Sequence, residues 1–146
     1  MKNWYVLSYK YGQVKRVQSG LERIGVNSFN PTIQVNKKRA DSGTLRPVFE
    51  SMFPTYLFVE FDVEDVHTTA VSSVSGVNYF VKFGTEPRPV PNSLILALRN
   101  RMDSGLDIKI KLNEIALNSD KLTRGALLIL LIESMPIELN YSEFNY

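Results

Sequence analysis

The sequence predicts an α+β domain, a mostly antiparallel sheet with flanking helices, followed by a short C-terminal segment of different character. Strand and helix patterns follow one another over residues 1–102 in the order β-α-β-β-β-α-β-α. The strand candidates stand too close together for a crossover helix at every step, which favours antiparallel pairing with the helices on one face. The 146 residues suffice for one domain and an appendage.

The first strand and the first helix begin the domain. Residues 4–9 are aromatic and β-branched and precede Gly12, as in a strand that ends in a turn. From residue 13 the period changes, because apolar side chains recur at positions 14, 17, 21 and 24 and Gly25 follows them. This spacing predicts an amphipathic helix that ends at a C-terminal glycine.

Two further strands and a basic loop come next. Residues 26–35 and residues 45–52 have strand-like composition. Between them, residues 36–44 are polar and basic without an apolar anchor. We therefore expect a mobile loop there.

The strongest strand pattern is TYLFVEF, at residues 55–61. Side chains alternate along a strand, so Tyr56, Phe58 and Glu60 share one face and the residues between them share the other. A carboxylate is almost never fully buried without a partner, so we expect the face that carries Glu60 to be at least partly open. Two aromatic side chains on an open face predict a binding patch.

Three elements complete this domain: a helix over residues 65–73, a strand over residues 76–83 and a helix over residues 91–102. Pro91 suits an early helical position. Apolar side chains share one stripe of this last helix: Leu94, Ile95, Leu98 and Met102.

Composition excludes several classes of protein. The chain contains no cysteine and one histidine, which excludes disulfides, thiolate nucleophiles and most zinc sites. The longest apolar run, residues 126–132, is much shorter than the ~18 residues that span a bilayer. The N-terminus also lacks the features of a signal peptide. We therefore expect a soluble, cytoplasmic protein with no membrane partner.

Charge is distributed unevenly along the chain. Residues 1–102 contain 13 Lys/Arg against 8 Asp/Glu, a net +5, whereas residues 103–146 contain 4 against 7, a net −3. This asymmetry permits a basic domain to bind a polyanion and an acidic segment to lie against it. The apolar run at residues 126–132 is compatible with a buried strand or with a helix.

No catalytic arrangement is evident. The sequence contains no Ser/His/Asp, Cys/His, HExxH, phosphate-loop or dinucleotide-binding pattern. Its one histidine, His67, is followed by two threonines, and a lone histidine beside hydroxyl groups is more often a surface or capping group than a base. We expect no enzymatic activity, no cofactor and no metal site.

Four ordered segments resemble one protein family. They read WYVLSYKYGQVKRVQSGLERIGVNSFNP, FPTYLFVEFD, HTTAVSSVSGVNYFVKFG and EPRPVP. They are similar to the N-terminal domain of the NusG transcription elongation factors, and most of all to the specialised RfaH-type members. The resemblance covers residues 1–102, which we take as a NusG N-terminal-like domain that binds polymerase and DNA.

The C-terminal part, residues 103–146, resembles the family less. Family members end in a small KOW-type β-barrel domain, whose opening is echoed here at residues 119–122 and Gly125. From Asn113 onward only 34 residues remain, too few for the strands and turns of a barrel. We therefore expect residues 103–146 to be a linker and a degenerate or truncated KOW-like segment.

The resemblance implies a factor that rides on bacterial RNA polymerase during elongation, contacts non-template DNA and suppresses pausing and termination. Family residues that contact the polymerase clamp helices correspond here to five side chains: Phe53, Tyr56, Phe58, Ile95 and Leu98. The alternative interpretation is that all five are ordinary core. Family residues that contact the polymerase gate loop correspond to His67, Thr68 and Thr69, with Ala70 in place of a further threonine.

The resemblance also implies a DNA-binding surface. Its residues here are Lys10, Gln13, Arg16 and Arg23. Arg16 and Arg23 share one stripe of the first helix with Gly20, and the alternative is a solvated helix face. The chain departs from RfaH-type members at Tyr11, Gly20, Ile24, Val74 and Ser75. We therefore expect weaker or differently specified DNA recognition, with Tyr11 suited to stack on an unpaired base.

The implied partners are RNA polymerase and the non-template DNA strand. The short C-terminal segment argues against ribosome coupling, and we expect a monomer. The rival hypothesis is a nucleic-acid-binding or ribosome-associated module that keeps the fold without the polymerase contacts. We further expect residues 103–146 to pack on or near the Tyr56/Phe58 face in the free protein, as strand or helix, and so to mask it.

Overall fold

A computed structural model describes residues 1–38, 40–41, 43–82, 84–100 and 106–135. It confirms the predicted α+β fold. The elements in chain order are β1 (Asn3–Tyr9), α1 (Val14–Arg23), β2 (Asn27–Phe29), β3 (Thr32–Lys38), β4 (Leu45–Ser51), β5 (Tyr56–Phe61), α2 (Thr68–Ser72), β6 (Val77–Phe80), α3 (Asn92–Asn100), α4 (Leu106–Leu117) and α5 (Lys121–Ser134).

Four of the strands form one antiparallel sheet in the order β2-β5-β1-β6. Phe58 of β5 lies opposite Val6 of β1 on one side and opposite Phe29 of β2 on the other. β3 and β4 form a separate two-stranded antiparallel ribbon, in which Val35 lies opposite Val48. The ribbon follows β2 and precedes β5 in the chain, so both of its ends are anchored in the main sheet.

The two faces of β5 have the composition that its alternation predicts. Phe58 packs in a cluster with residues of β1, the ribbon, α3, α4 and α5. Leu57, Val59 and Phe61 pack on the opposite face with residues of α1 and α2. The expectation that all helices lie on one face is therefore wrong. Both faces of the central strands are apolar, and a sheet of that kind needs a layer of helices on each side.

The region between β2 and β5 differs from the prediction. The single strand expected over residues 26–35 is two strands, because Pro31 lies between Phe29 and Thr32 and cannot donate a backbone hydrogen bond to a ladder. The loop expected over residues 36–44 is shorter, since Asn36–Lys38 pair with Leu45–Pro47. Arg39 and Ser42, in the middle of that loop, lie outside the described residues.

The later elements of the domain are shorter than predicted. The helix expected over residues 65–73 begins at Thr68, because a turn precedes it in which the Asp62 carboxylate accepts a hydrogen bond from the Glu64 N–H at 2.9 Å. The strand expected over residues 76–83 is Val77–Phe80, and Phe83 lies outside the described residues. The last helix of the domain starts at Asn92, directly after Pro91, and Met102 lies outside the described residues.

The C-terminal segment is helical where it is described. The apolar run at residues 126–132, for which strand and helix were both open, lies within α5. Five buried side chains of α4 and α5 join the cluster on the Phe58 face: Leu112, Ile115, Leu128, Leu131 and Ile132. We refer to α4 and α5 as the helix pair. The proposed boundary at residues 102–103 lies outside the described residues, and the KOW-like character of this segment stays a prediction.

Candidate functional site

The five side chains that the resemblance assigns to a clamp contact lie together in the structure. Tyr56 and Phe58 come from β5, Phe53 from the turn before it, and Ile95 and Leu98 from one stripe of α3; we call this set the aromatic face. The rings of Phe53 and Phe58 meet edge to face, with centroids 6.4 Å apart. All the members except Tyr56 are fully buried, and Tyr56 is half-buried.

The expectation that this face is open is wrong for the conformation seen here, because the helix pair covers it. The expectation came from Glu60, whose carboxylate needs a polar surrounding. Glu60 finds one beside the edge strand β2, whose Asn27 donates a hydrogen bond to the Glu60 Oε1 at 3.3 Å. Glu60 and the aromatic side chains of β5 therefore have separate surroundings, and only Tyr56 and Phe58 lie under helices.

Gly125 sets how closely α5 approaches the aromatic face. A Cβ atom at this position would lie 2.9 Å from Cε2 of Tyr56, closer than a carbon contact tolerates. The absence of a side chain therefore lets the helix backbone lie directly on the Tyr56 ring. Burial under the helix, with a smaller contribution from Tyr79, raises the pKa of the Tyr56 hydroxyl above its ordinary value of 10.0.

Arg124 is the one charged side chain that is fully buried among the described residues, with 1% of its surface exposed. Its guanidinium donates to three acceptors on two segments. Nε donates to the Met52 carbonyl at 2.8 Å, Nη1 to the Asn118 carbonyl at 2.9 Å, and Nη2 to Glu50 Oε1 at 3.1 Å. These three bonds join α5 to the end of β4 and to the turn between α4 and α5.

Glu50 collects positive charge from the ribbon and from the helix pair. Besides Arg124, its carboxylate lies 3.6 Å from the Lys37 ammonium and 3.9 Å from the Lys121 ammonium. Glu50 is itself largely shielded, so these interactions are screened less than ordinary surface pairs. Two of the three cations belong to α5, so the charge balance at Glu50 depends on the helix pair being in place.

Both ends of α5 make further contacts with the sheet domain. At its start, the Lys121 ammonium lies 3.5 Å from the Tyr11 hydroxyl and 5.9 Å from the centre of that ring. At its end, Arg88 donates a hydrogen bond to the Met135 carbonyl at 2.6 Å. The helix pair is therefore held by polar contacts around an apolar centre.

A basic groove lies on the other face of the sheet. It has a volume of about 630 Å³ and runs between α1, which contributes Arg16, Gly20 and Arg23, and the α2–β6 turn, which contributes Ser73 and Ser75. Arg16 and Arg23 are exposed, and none of the described residues that line the groove is acidic. A polyanion can reach both guanidinium groups without any rearrangement of the chain.

The other predicted DNA contacts lie at one end of this groove. Lys10 is exposed in the turn between β1 and α1, and its N–H donates to the Gly76 carbonyl at 2.9 Å, which places this turn beside the α2–β6 turn. Gln13 accepts a long hydrogen bond from Arg16, 3.5 Å in length. The structure therefore brings Lys10, Gln13, Arg16 and Arg23 to one surface, with Tyr11 beside them and 69% exposed.

His67 caps α2, in agreement with the expectation of a surface or capping group. Its Nδ1 accepts a hydrogen bond from the Thr69 N–H at 3.0 Å, and the side chain is exposed. Thr68 and Thr69 form the first turn of the helix, so His67, Thr68 and Thr69 make one compact polar surface. Ala70 and Ser73 of the same region line the basic groove, so this surface and the groove are neighbours across α2.

Sequence reasoning missed Arg124, Glu50 and Lys121. The available signal was the spacing of Arg124, Leu128 and Leu131, which places an arginine on the apolar stripe of a helix. A cation at such a position requires buried acceptors. Two of its acceptors lie more than 70 residues away in the chain, and local periodicity does not identify them.

Metal-binding and membrane-spanning features are both absent from the described ranges. No group of three or more His, Asp or Glu side chains there has the arrangement to hold a metal ion. No helix there is long and apolar enough to cross a membrane.

Comparison with known proteins finds a family match and similar solved structures. The sequence profile of the family described as transcription termination factor NusG matches residues 2–99. Among solved structures, one of Thermotoga maritima NusG, described as showing domain interaction, is similar to this chain with 25% sequence identity and a TM-score of 0.46. That similarity covers 72% of this chain and 61% of the Thermotoga chain, so the chain spans less than two thirds of that protein.

Proposed function

We propose that this chain, which belongs to the NusG family, is a transcription elongation factor of the RfaH type which binds bacterial RNA polymerase and suppresses pausing and termination. Membership rests on the family match over residues 2–99. The two surfaces described above supply the polymerase and DNA contacts of this proposal. Its action is positional, since it depends on holding partners together rather than on a reaction.

The aromatic face is the proposed contact for the clamp helices. It supplies four apolar side chains and the polar hydroxyl of Tyr56 on rigid elements, and large aromatic side chains commonly dominate interface energies. A face of this composition does not stay exposed in a free protein without cost. Its cover by a separate helix pair is the observation that carries the proposal.

The helix pair acts, in this proposal, as a lid that masks the clamp contact until recruitment. The lid is held by the buried hydrogen bonds of Arg124 and by apolar contacts with the aromatic face. The clamp helices and the lid compete for the same side chains, so polymerase binding requires the lid to leave. The resulting affinity is lowered by the free energy needed to open it.

The basic groove is the proposed contact for the non-template DNA strand. Arg16 and Arg23 can neutralise phosphates, while the Ser75 hydroxyl can donate a hydrogen bond to a base or to the DNA backbone. The groove stays open in the closed conformation. DNA can therefore bind first and raise the local concentration of the factor on the polymerase.

The surface formed by His67, Thr68 and Thr69 is the proposed contact for the polymerase gate loop. It lies across α2 from the DNA groove and on the opposite side of the sheet from the aromatic face. A factor attached at the clamp helices and at the gate loop would bridge the DNA channel. Such a bridge resists opening of the clamp, which gives a physical basis for suppressing pauses.

The proposed function is tested by binding to core RNA polymerase in a background where the lid is opened. We choose Arg124→Met for that background, because it removes the three hydrogen bonds that hold α5 on the sheet domain and its effect does not depend on the Tyr56 ring. Adding Tyr56→Ala should weaken polymerase binding by about 30-fold, the effect of losing an aromatic anchor. The matched control is Leu96→Ala, an exposed leucine on the same helix as Ile95 and Leu98.

Equal binding by the Tyr56→Ala and Leu96→Ala variants would contradict the proposed clamp contact. Absence of polymerase binding by the opened protein, with oligonucleotide binding retained, would favour a nucleic-acid-binding module instead. Phe58→Ala is a poor choice for this test, because Phe58 is fully buried in the core and its truncation is expected to cost about 3–5 kcal/mol of stability.

A further inference from the structure

The outer face of the β3–β4 ribbon lies apart from both surfaces described so far. Residues directly opposite each other in an antiparallel pair project to the same side. Gln34 lies opposite Phe49, Asn36 opposite Pro47, and Lys38 opposite Leu45. These six side chains are all exposed and form one face, which we call the outer ribbon face.

The inner face of the ribbon explains why the outer face is free. Ile33 and Val35 project inward to the apolar cluster, and Glu50 projects to Arg124 of the lid. The outer face makes no such contribution, so its side chains are not required for packing. Phe49 is nevertheless 71% exposed and Leu45 is 68% exposed.

The charge around this face is positive. Residues 36–46 contain four Lys/Arg and one Asp. Lys38 lies on the outer ribbon face itself, while Lys37 and Arg46 flank it as an opposite pair on the other side of the ribbon. The single carboxylate on the described strands of the ribbon, that of Glu50, faces inward to its own cations. The outer face therefore offers positive charge without a competing acid.

A cavity of about 480 Å³ opens at the base of the ribbon. Gln34 and Phe49 line it from the outer ribbon face, and Asn30 and Arg99 line it from the neighbouring strand end and from α3. The Arg99 guanidinium lies over the rings of Phe29 and Trp4, with its central carbon 5.1 Å and 5.4 Å from their centres. The cavity is therefore bordered by two flat surfaces, one aromatic and one cationic.

Asn30 adds a hydrogen-bonding group to this cavity. Its Nδ2 donates to Ser51 Oγ at 3.0 Å, which orients the amide. Its Oδ1 is buried, and no described residue donates to it. A buried carbonyl oxygen without a donor is rare in a folded protein, and a ligand that carries an N–H group would satisfy it.

We propose that the outer ribbon face binds single-stranded nucleic acid, with one unpaired base in the cavity at its base. Exposed bases stack on aromatic side chains and on arginine, and lysine and arginine contact the phosphates between them. An amide beside such a stack supplies hydrogen bonds to a base edge. A duplex conceals the faces of its bases, so a duplex would use the cations but not the Phe49 ring.

This site is independent of the basic groove and of the lid. α1 packs on the opposite face of the four-stranded sheet, in a different apolar cluster from the ribbon. The outer ribbon face is already exposed while the lid is closed. The intact chain should therefore bind through it without polymerase.

The test measures binding of a fluorescein-labelled oligodeoxythymidylate of about 12 nucleotides to the full chain by fluorescence anisotropy. Arg16→Ala and Arg23→Ala are present throughout, so that the basic groove contributes little. In this background Phe49→Ala should weaken binding about tenfold, and Phe49→Tyr should restore it because tyrosine also stacks. Tyr79→Ala, which removes another exposed aromatic ring away from the ribbon, should have no effect.

A second variant set measures the phosphate contacts. Lys38→Ala should lower the slope of log affinity against log salt by about 0.7, because one phosphate is no longer neutralised. Phe49→Ala should weaken binding without changing this slope, which separates stacking from charge. Circular dichroism checks that each variant keeps its fold.

The proposal is overturned if Phe49→Ala and Tyr79→Ala bind the oligonucleotide equally well. It is also overturned if a duplex of the same length binds as tightly and with the same dependence on Phe49. Because the assay contains no polymerase, either result would leave the proposed elongation function to be judged by its own experiment.

Discussion

The aromatic face and the basic groove are the two proposed contacts of one sheet domain, yet they are presented to solvent in opposite ways. The aromatic face is covered by the helix pair, whereas Arg16 and Arg23 in the groove are exposed. The chemistry of each surface accounts for this difference. Moving apolar side chains out of water is favourable, whereas moving well-solvated guanidinium groups out of water is unfavourable.

Only the apolar contact can therefore be controlled by a lid at little cost in free energy. Covering the aromatic face with α5 stabilises the free protein and at the same time blocks a partner. Covering the groove would require new acceptors for two arginines, and the lid offers none there. We therefore expect changes in the lid to alter access to the aromatic face and to leave the groove unaffected.

The largest effect is expected from Arg124→Met, which keeps much of the apolar volume but removes all three hydrogen bonds. The closed state should lose about 3 kcal/mol, because breaking a buried, hydrogen-bonded charge pair is strongly destabilising. Hydrogen exchange of the α5 amides measures this loss as faster exchange. Arg124→Lys should rescue it only in part, since an ammonium cannot donate in a planar fork.

The matched control for this experiment is Lys111→Met, an exposed lysine on α4. Its α5 amides should exchange at the parent rate. If Arg124→Met also leaves those amides protected, the lid is held by its apolar contacts alone and the hydrogen-bond network is dispensable.

A smaller effect, on the open surface, is expected from Arg16→Ala and Arg23→Ala. Each change should lower the salt slope of binding to an elongation complex with an exposed non-template strand by about 0.7, because one phosphate of a single strand is no longer neutralised. Lys15→Ala, on the same helix but outside the groove, is the control. Identical slopes for all three variants and the parent would remove α1 from the DNA path.

The smallest effect is expected at the start of α5, where the Asp120 carboxylate accepts hydrogen bonds from the Leu122 N–H and the Thr123 hydroxyl. Asp120→Ala should destabilise the closed lid through loss of this cap, by less than the loss of the Arg124 network. The hydrogen bond from Thr123, with smaller contributions from the Leu122 and Thr123 N–H groups and from Arg124, holds the Asp120 pKa below its ordinary value of 3.8.

The sign of the pH dependence follows from that lowered pKa. The cap contributes its full stability above pH 3.8, where the carboxylate is ionised in both states, and loses it as the pH falls through the lowered pKa. Hydrogen exchange of the α5 amides measures how much the lid opens when the pH is lowered. This increase in opening should be greater for the parent than for Asp120→Asn. Equal acid sensitivity would show that other carboxylates dominate.

Much of the sheet domain was predictable because its information is local. The alternation of TYLFVEF placed Phe58 and Leu57 on opposite faces, and the surroundings of His67 indicated a capping group; both predictions are confirmed. The position of the helices was not predictable in the same way. Helices lie on both sides of the sheet because both faces of β1 are buried. A run of aromatic and β-branched residues does not show whether a strand is buried on one face or on both.

The lid was harder to predict, and Gly125 shows why. Within a helix, glycine costs about 1 kcal/mol relative to alanine, so on local grounds it counts against a helix over residues 121–134. In the structure the same glycine permits the contact with Tyr56, a residue 69 positions earlier. The lower helix propensity of glycine can be read from the neighbouring sequence, but the close approach of α5 to Tyr56 cannot, because it depends on the tertiary fold.

We expect the lid and the polymerase to compete for the aromatic face, and Gly125→Leu opens the lid without removing a side chain of that face. Leucine favours the helix but cannot pack against Tyr56, so the lid should open while α5 remains able to form. The measurement is the affinity of core RNA polymerase for the parent, for Gly125→Leu and for Ala126→Leu, a matched change at an exposed position. We expect Gly125→Leu to bind polymerase at least about tenfold more tightly than the parent, and Ala126→Leu to bind it with the parent affinity. Unchanged or weaker polymerase binding by Gly125→Leu, together with fast exchange of its α5 amides, would contradict competition between the lid and the polymerase.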